Sequence, residues 1–245
     1  MPTLLVIPGT IRRAHNYDAL AAALGPTYTV HILERRGRGN ALPQGADYSI
    51  DQEVDDALTL LDRTGATQVF GHSYGGLIAL HLALRRDLER LIAYEPAVSI
   101  DGSLNLGFLP EFERLLDRGR PGAALAEFLT RLQFLPARIP RPIRTAMAAL
   151  LIRTTTEGRE IREVLPTIPN EGRVVIGLDS DGSRYAAVKT PTLLLGGGRS
   201  PAYNRDILPK LEAIMPLAKT VITPEFDHNA PDLGDPAKVA ALIRA

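Results

Sequence analysis

The chain contains no cysteine, which excludes disulfides and thiolate chemistry and leaves redox compartment unreadable. It also lacks any surplus of charge. With 28 Lys plus Arg against 28 Asp plus Glu, net charge gives no reason to expect nucleic acid or an anionic membrane as partner. No apolar run approaches the roughly 20 residues of a membrane span. The opening, Met1-Pro2-Thr3-Leu4-Leu5-Val6-Ile7-Pro8, has a short apolar stretch without a basic lead, so no secretory signal is expected and cytoplasmic is the default location. There is no internal repeat, no low-complexity tract and no His/Glu pair at metal spacing. Gly196-Gly197-Gly198 follows an apolar run, but Pro201 stands where the last glycine of a dinucleotide fingerprint belongs, and no Gly-Lys-Ser/Thr follows. Neither cofactor nor metal is expected. Arg36-Gly37-Arg38-Gly39 lacks the repetition and aromatic neighbours of an RNA-binding tract.

What is present describes a globular chain. Its 245 residues, 45% apolar and 23% charged, suit one domain or one domain with a large insertion. A chain of that size buries about 70–75% of its unfolded surface.

The most informative stretch is Gly71-His72-Ser73-Tyr74-Gly75-Gly76. A short β-prone run ends at Phe70, and a longer apolar run starts at Leu77. Strand, tight turn and helix with serine at the apex form the G-x-S-x-G nucleophile elbow. Such a turn pushes Oγ outward through a strained backbone, and its neighbours must be small so that strand and helix can meet.

Around it the chain alternates. Strands are expected at residues 3–7, 28–33, 67–70 and 90–94, with helices at 16–24, 51–63 and 75–86. From about 106 to 165 only helical pieces are legible (108–117, 123–133, 143–153 and 158–165), broken by Gly119, Pro121 and the proline-rich stretch 136–142. We expect this to be an all-helical insertion serving as a lid, residues 105–165, between core segments 1–104 and 166–245. Alternation resumes with strands at 192–195 and 220–223 and helices at 205–214 and 235–244. A βαβα order implies a parallel sheet with helices on both faces.

Taken together, the chain resembles the α/β-hydrolase fold. Pro8-Gly9-Thr10 stands where that family usually has His-Gly and an oxyanion residue. Glu34-Arg35-Arg36-Gly37-Arg38-Gly39 is similar to its D-x-x-G-x-G loop, and Phe226-Asp227-His228-Asn229-Ala230-Pro231 to its histidine loop. The resemblance implies a mostly parallel sheet of about six strands, without the N-terminal hairpin of larger members. It implies Ser73 as nucleophile and the backbone N–H groups of Thr10 and Tyr74 as oxyanion donors, each worth on the order of 3 kcal/mol.

The nucleophile needs a base. Of the five histidines, His72 adjoins Ser73 and resembles the family's framing residue, His81 falls in a buried helix, His31 in a strand and His15 in a loop. His228 follows the last strand at the ligand-binding edge of the sheet, so it is the expected base. The acid departs from the pattern, because Ser200 stands where the family often has Asp. Glu95, directly after the fourth strand, is the first choice; Asp206 is the second, and an absent acid is the third. Arg12, Arg13, Arg35, Arg36 and Arg38 read as a solvated face with structural ion pairs rather than as an anion site. Phe108, Leu109, Phe112, Phe128, Leu132, Phe134 and Met147 are expected to divide between the insertion's own core and an apolar pocket. The expected activity is hydrolysis of a carboxylic ester or lactone with an apolar body, by a monomer or homodimer acting on a small molecule. A lyase or cyclase using the same site for acid/base work, or a non-catalytic ligand-binding relative, are the alternatives.

Overall fold

A computed structural model describes all 245 residues. The order is β1 (Thr3–Ile7), α1 (Asp18–Leu24), β2 (Thr29–Ile32), α2 (Ile50–Thr64), β3 (Gln68–His72), α3 (Tyr74–Ala83) and β4 (Arg90–Tyr94). Five helices follow: α4 (Leu109–Asp117), α5 (Pro121–Arg131), α6 (Arg141–Thr154), α7 (Thr156–Val164) and α8 (Ile168–Leu178). The chain closes with β5 (Thr192–Gly197), α9 (Ala202–Ile214), β6 (Ala218–Thr223) and α10 (Pro236–Arg244).

The six strands form one sheet in the order β2-β1-β3-β4-β5-β6, and every pairing is parallel. Alternation within each strand assigns the two faces. Leu4, Val6, Phe70, Ile92 and Tyr94 face a core shared with α1 and α10. Leu5, Ile7, Val69, Leu91 and Ala93 are equally buried on the other side, where α2 and α3 pack. Both faces being covered is why these strands read as unbroken apolar runs. Helix α2 shows how local sequence sets an element's limits. Ser49 caps its start by accepting from the N–H of Gln52, and Gly65 ends it with φ 67°, the left-handed turn that glycine adopts at least cost.

The chain divides into two compact units, Met1–Leu104 with Leu178–Ala245, and Asn105–Gly177. The second is all helical, and Phe108, Phe112 and Phe128 meet edge-on or tilted at its centre, with ring centroids 6.1–6.4 Å apart. It runs 12 residues beyond the expected boundary at 165. The extra length is α8, which Pro169, Gly172 and Gly177 disguise as a broken segment. Gly172 is there for packing, since a Cβ at that position would lie 2.5 Å from the Leu109 side chain of α4. Met147 joins no core and is 51% exposed. No helix is long and apolar enough to cross a membrane.

Candidate active site

Strand β3 delivers Ser73 into the turn before α3 with φ 56° and ψ −119°, a conformation that costs on the order of 1–3 kcal/mol for a residue with a side chain. The turn is held on both flanks. The Ser73 N–H donates to the Tyr94 carbonyl at 2.9 Å, and its own carbonyl accepts from the N–H groups of Gly76, Leu77 and Ala97. Gly71 and Gly75 allow the closure. A Cβ on Gly75 would lie 2.1 Å from the Ile7 carbonyl oxygen, and one on Gly71 would lie 2.3 Å from that of Gly75. Tyr74 begins α3, so its N–H belongs to the first turn, which has no partner within the helix.

His228 follows β6, and its Nδ1 lies 2.6 Å from Glu95 Oε2. A carboxylate can only accept, so Nδ1 carries the proton in this bond. Glu95 is fully buried and leaves the end of β4 with φ 43°. Its second oxygen accepts from the Gly197 N–H at 2.7 Å. The two glycines that end β5 pack tightly here. A Cβ on Gly196 would lie 3.6 Å from the Glu95 carboxylate and 2.5 Å from Leu208, and one on Gly197 would lie 2.4 Å from the Phe226 carbonyl oxygen. The Asn204 amide stands 3.2 Å from the same Nδ1. Ser200 is buried, and its hydroxyl has no hydrogen-bond partner. Asp206 is exposed on α9. Thus the structure brings Glu95, and not Asp206 or Ser200, to the imidazole.

The Ser73 turn and His228 are neighbours through His72, whose ring centroid lies 4.8 Å from that of His228. Burial first, then the His228 ring and the Arg12 guanidinium, hold the His72 pKa well below the ordinary range, against a backbone bond to His228. His72 is therefore neutral. Its Nδ1 lies 2.6 Å from the Tyr17 hydroxyl, which also accepts from the Gly9 N–H at 3.1 Å. The assignment that satisfies both has Tyr17 donating to Nδ1.

Between β1 and α1, the loop carrying Thr10 lies against the elbow, a Cβ on Gly9 falling 3.3 Å from that of Ser73. Here the arginines depart from the expected solvated face. Arg12, Arg35 and Arg38 are all buried. Arg35 donates to the carbonyls of Gly9 (3.2 Å) and Pro8 (3.4 Å) and pairs with buried Glu53 at 2.9 Å, while its guanidinium lies 4.6 Å from the centre of the Tyr74 ring. Burial pushes the Glu53 pKa up, but Arg35 and the Tyr48 hydroxyl outweigh it and hold the group below its ordinary value. Arg38 donates to the carbonyls of Thr10 and, at 3.1 Å, Arg12. Arg36, paired with Asp56 at 2.6 Å, and Arg13, 3.8 Å from Glu34, keep partly open ion pairs as expected. These pegs support a loop that lacks the usual histidine before Gly9. The sequence signal for them was the arginine triplet itself, misread because arginine is so seldom fully buried. Tyr17, Asn204 and Asp232 carried no signal; only the fold makes them neighbours.

The remaining histidines lie elsewhere. His15 is exposed, His31 is half-buried in β2, and His81 sits in α3 with its Nε2 3.5 Å from the Tyr185 hydroxyl.

A serine on a strand-to-helix turn of a six-stranded parallel sheet, beside a carboxylate-bonded histidine after the last strand, defines an α/β-hydrolase type of site. The model of the alpha/beta hydrolase family matches residues 4–242, and the chain belongs to that family. It is 35% identical over 259 residues to Lipase LipV of Mycobacterium tuberculosis, covering 99% of this chain and 92% of that one. It is 26% identical to a 3-hydroxybutyrate-oligomer hydrolase of Cupriavidus necator, covering 98% and 86%. Among solved structures it is similar to an alpha/beta hydrolase from Sphaerobacter thermophilus, with TM-score 0.80, 26% identity and coverage of 99% and 91%.

Proposed function

We propose that the protein is a serine hydrolase that cleaves a carboxylic ester or lactone with an apolar body and needs no cofactor. The observation that carries this reading is the 2.6 Å bond between buried Glu95 and His228 Nδ1, beside a serine held at φ 56°. That bond keeps the proton on Nδ1, so Nε2 is the ring nitrogen that can take one. In the proposed reaction the Ser73 oxygen attacks the carbonyl carbon and its proton passes to His228 Nε2. Negative charge on the former carbonyl oxygen meets the N–H groups of Thr10 and Tyr74. The imidazolium then protonates the leaving alcohol, or the ring oxygen of a lactone, and water activated by His228 releases the acid. Glu95 stabilises the imidazolium throughout. The names of the relatives, a lipase and an oligomer hydrolase, support hydrolysis as the reaction. The place of the helical unit in the chain, after the strand bearing Glu95, supports a substrate-selecting lid role for it.

The test is intact-mass analysis after exposure to a small fluorophosphonate. One adduct per chain, absent in Ser73→Ala, is the expected result. No adduct on folded wild-type protein would overturn the hydrolase reading in favour of a binding role.

A further inference from the structure

We propose that Arg12 and Asp232 form a positioning pair that locks the loop bearing Thr10 to the loop bearing His228; the idea deepens the serine-hydrolase reading and rests on it. Arg12 stands two residues after Thr10, and Asp232 four residues after His228 in a short π-helical turn, Ala230–Gly234. Their side chains form an ion pair, Arg12 8% exposed and Asp232 fully enclosed. Each partner is also fixed to its own loop by the main chain. The Arg12 N–H donates to the Gly9 carbonyl, and the Asp232 N–H to that of Asn229. The Arg12 carbonyl is further held by Arg38 at 3.1 Å. Neither loop can then slide without separating two buried opposite charges, which makes a buried pair a stiffer link than an exposed one.

A second limb runs in parallel, from the Gly9 N–H to the Tyr17 hydroxyl, on to His72 Nδ1, and through the His72 ring to His228. Both limbs join the site's proposed oxyanion donor to its proposed base. The linkage matters because Pro8 replaces the histidine that the family pattern would place before Gly9. Burial outweighs the opposing pull of Arg12 and His228 and holds the Asp232 pKa above its ordinary value, so it is the ion-pair geometry that carries the link. Asp232 differs from Glu95 in role, since Glu95 bonds the imidazole and Asp232 bonds the opposite loop.

The experiment compares wild type with Asp232→Asn, Arg12→Gln, the double variant and Arg12→Lys. Three readouts are taken: kcat and KM on p-nitrophenyl butyrate, the fluorophosphonate labelling rate at Ser73, and hydrogen exchange in residues 8–13 and 227–233. A positioning pair predicts a ~10- to 100-fold fall in kcat for either single neutral variant, with KM within about threefold, because misplacement by an ångström costs about that much. Labelling should slow by the same factor. The double variant should be no slower than the worse single, as for residues that act as one unit, and both loops should lose protection together. Arg12→Lys, which keeps the charge, should retain most of the protection and kcat; it also decides the matter if the neutral variants do not fold. Unchanged kcat and labelling, a rise in KM alone, multiplicative losses, or loops that loosen independently would each overturn the proposal. Should wild type take no label, the serine-hydrolase reading fails, and the exchange data still decide whether the loops are locked.

Discussion

Glu95 reaches His228 from the end of β4, one strand away from the loop where the family pattern leads one to look. Two residues make that route available. Glu95 takes φ 43°, and Gly197 lends an N–H to its second oxygen. Ser200, at the usual position, is left buried and unbonded. The reach of Glu95 leads to a test at this scale. Glu95→Gln keeps the shape but removes the charge, and its amide can donate to Nδ1, fixing the imidazole in the tautomer that cannot accept from serine. We expect kcat to fall ~10³- to 10⁴-fold, by analogy with the serine-protease aspartate, with little change in thermal stability. Steady-state kinetics on p-nitrophenyl butyrate, alongside a melting curve, would settle it. Activity within tenfold of wild type would remove Glu95 from the mechanism.

At the scale of elements, the site depends on how closely β3, α3 and β1 approach one another. The Gly75 backbone packs against the Ile7 carbonyl, with no room for a methyl group. Gly75→Ala must therefore push α3 off the sheet edge or distort the turn. Overpacking of this kind costs about 1–3 kcal/mol, and we expect a loss at the upper end, because the obstacle is backbone and cannot rotate away. Urea denaturation should show a lower midpoint, and Ser73 labelling should slow even in the folded fraction. An unchanged midpoint would mean the elbow is looser than described. This scale is also where the sequence is most legible. The strand at Arg90–Tyr94 was foreseen to the residue, and the elbow, the parallel order and the four helices before residue 165 followed from apolar periodicity and Gly/Pro punctuation. Helix α8 was missed because its packing glycine and proline look like breakers. The arginine pegs were missed for a different reason. A sequence states a side chain's charge, but the carbonyls that Arg35 and Arg38 satisfy are brought together only by the fold.

For the molecule as a whole, acid sensitivity is set in part by histidines buried without charge. The clearest is His81 on α3, held down to about 4, first by burial and then by repulsion from Arg184, with Asp51 pulling weakly the other way. Its partner, the Tyr185 hydroxyl at 3.5 Å, carries no negative charge to offset that; burial raises the Tyr185 pKa to about 12, with Arg184 opposing. In the unfolded chain the imidazole titrates near 6.5. Between those two values the unfolded chain takes up a proton that the folded one refuses, so stability is full above about pH 6.5 and declines as pH falls toward 4. The size follows from the shift, roughly 2–3 kcal/mol lost between pH 7 and pH 4.5. His72, depressed in the same direction, adds a loss of the same sign but lies within the site, so His81 is the cleaner probe. His81→Gln keeps a polar group for Tyr185 and removes the titration. Measured by urea unfolding at pH 7 and pH 4.5, the variant should lose about 2–3 kcal/mol less than wild type over that interval, since the carboxylate contributions are common to both. Equal losses in the two proteins would show that His81 takes its proton in the folded state as readily as in the unfolded one, and acid sensitivity would then have to come from His72 and the carboxylate pairs.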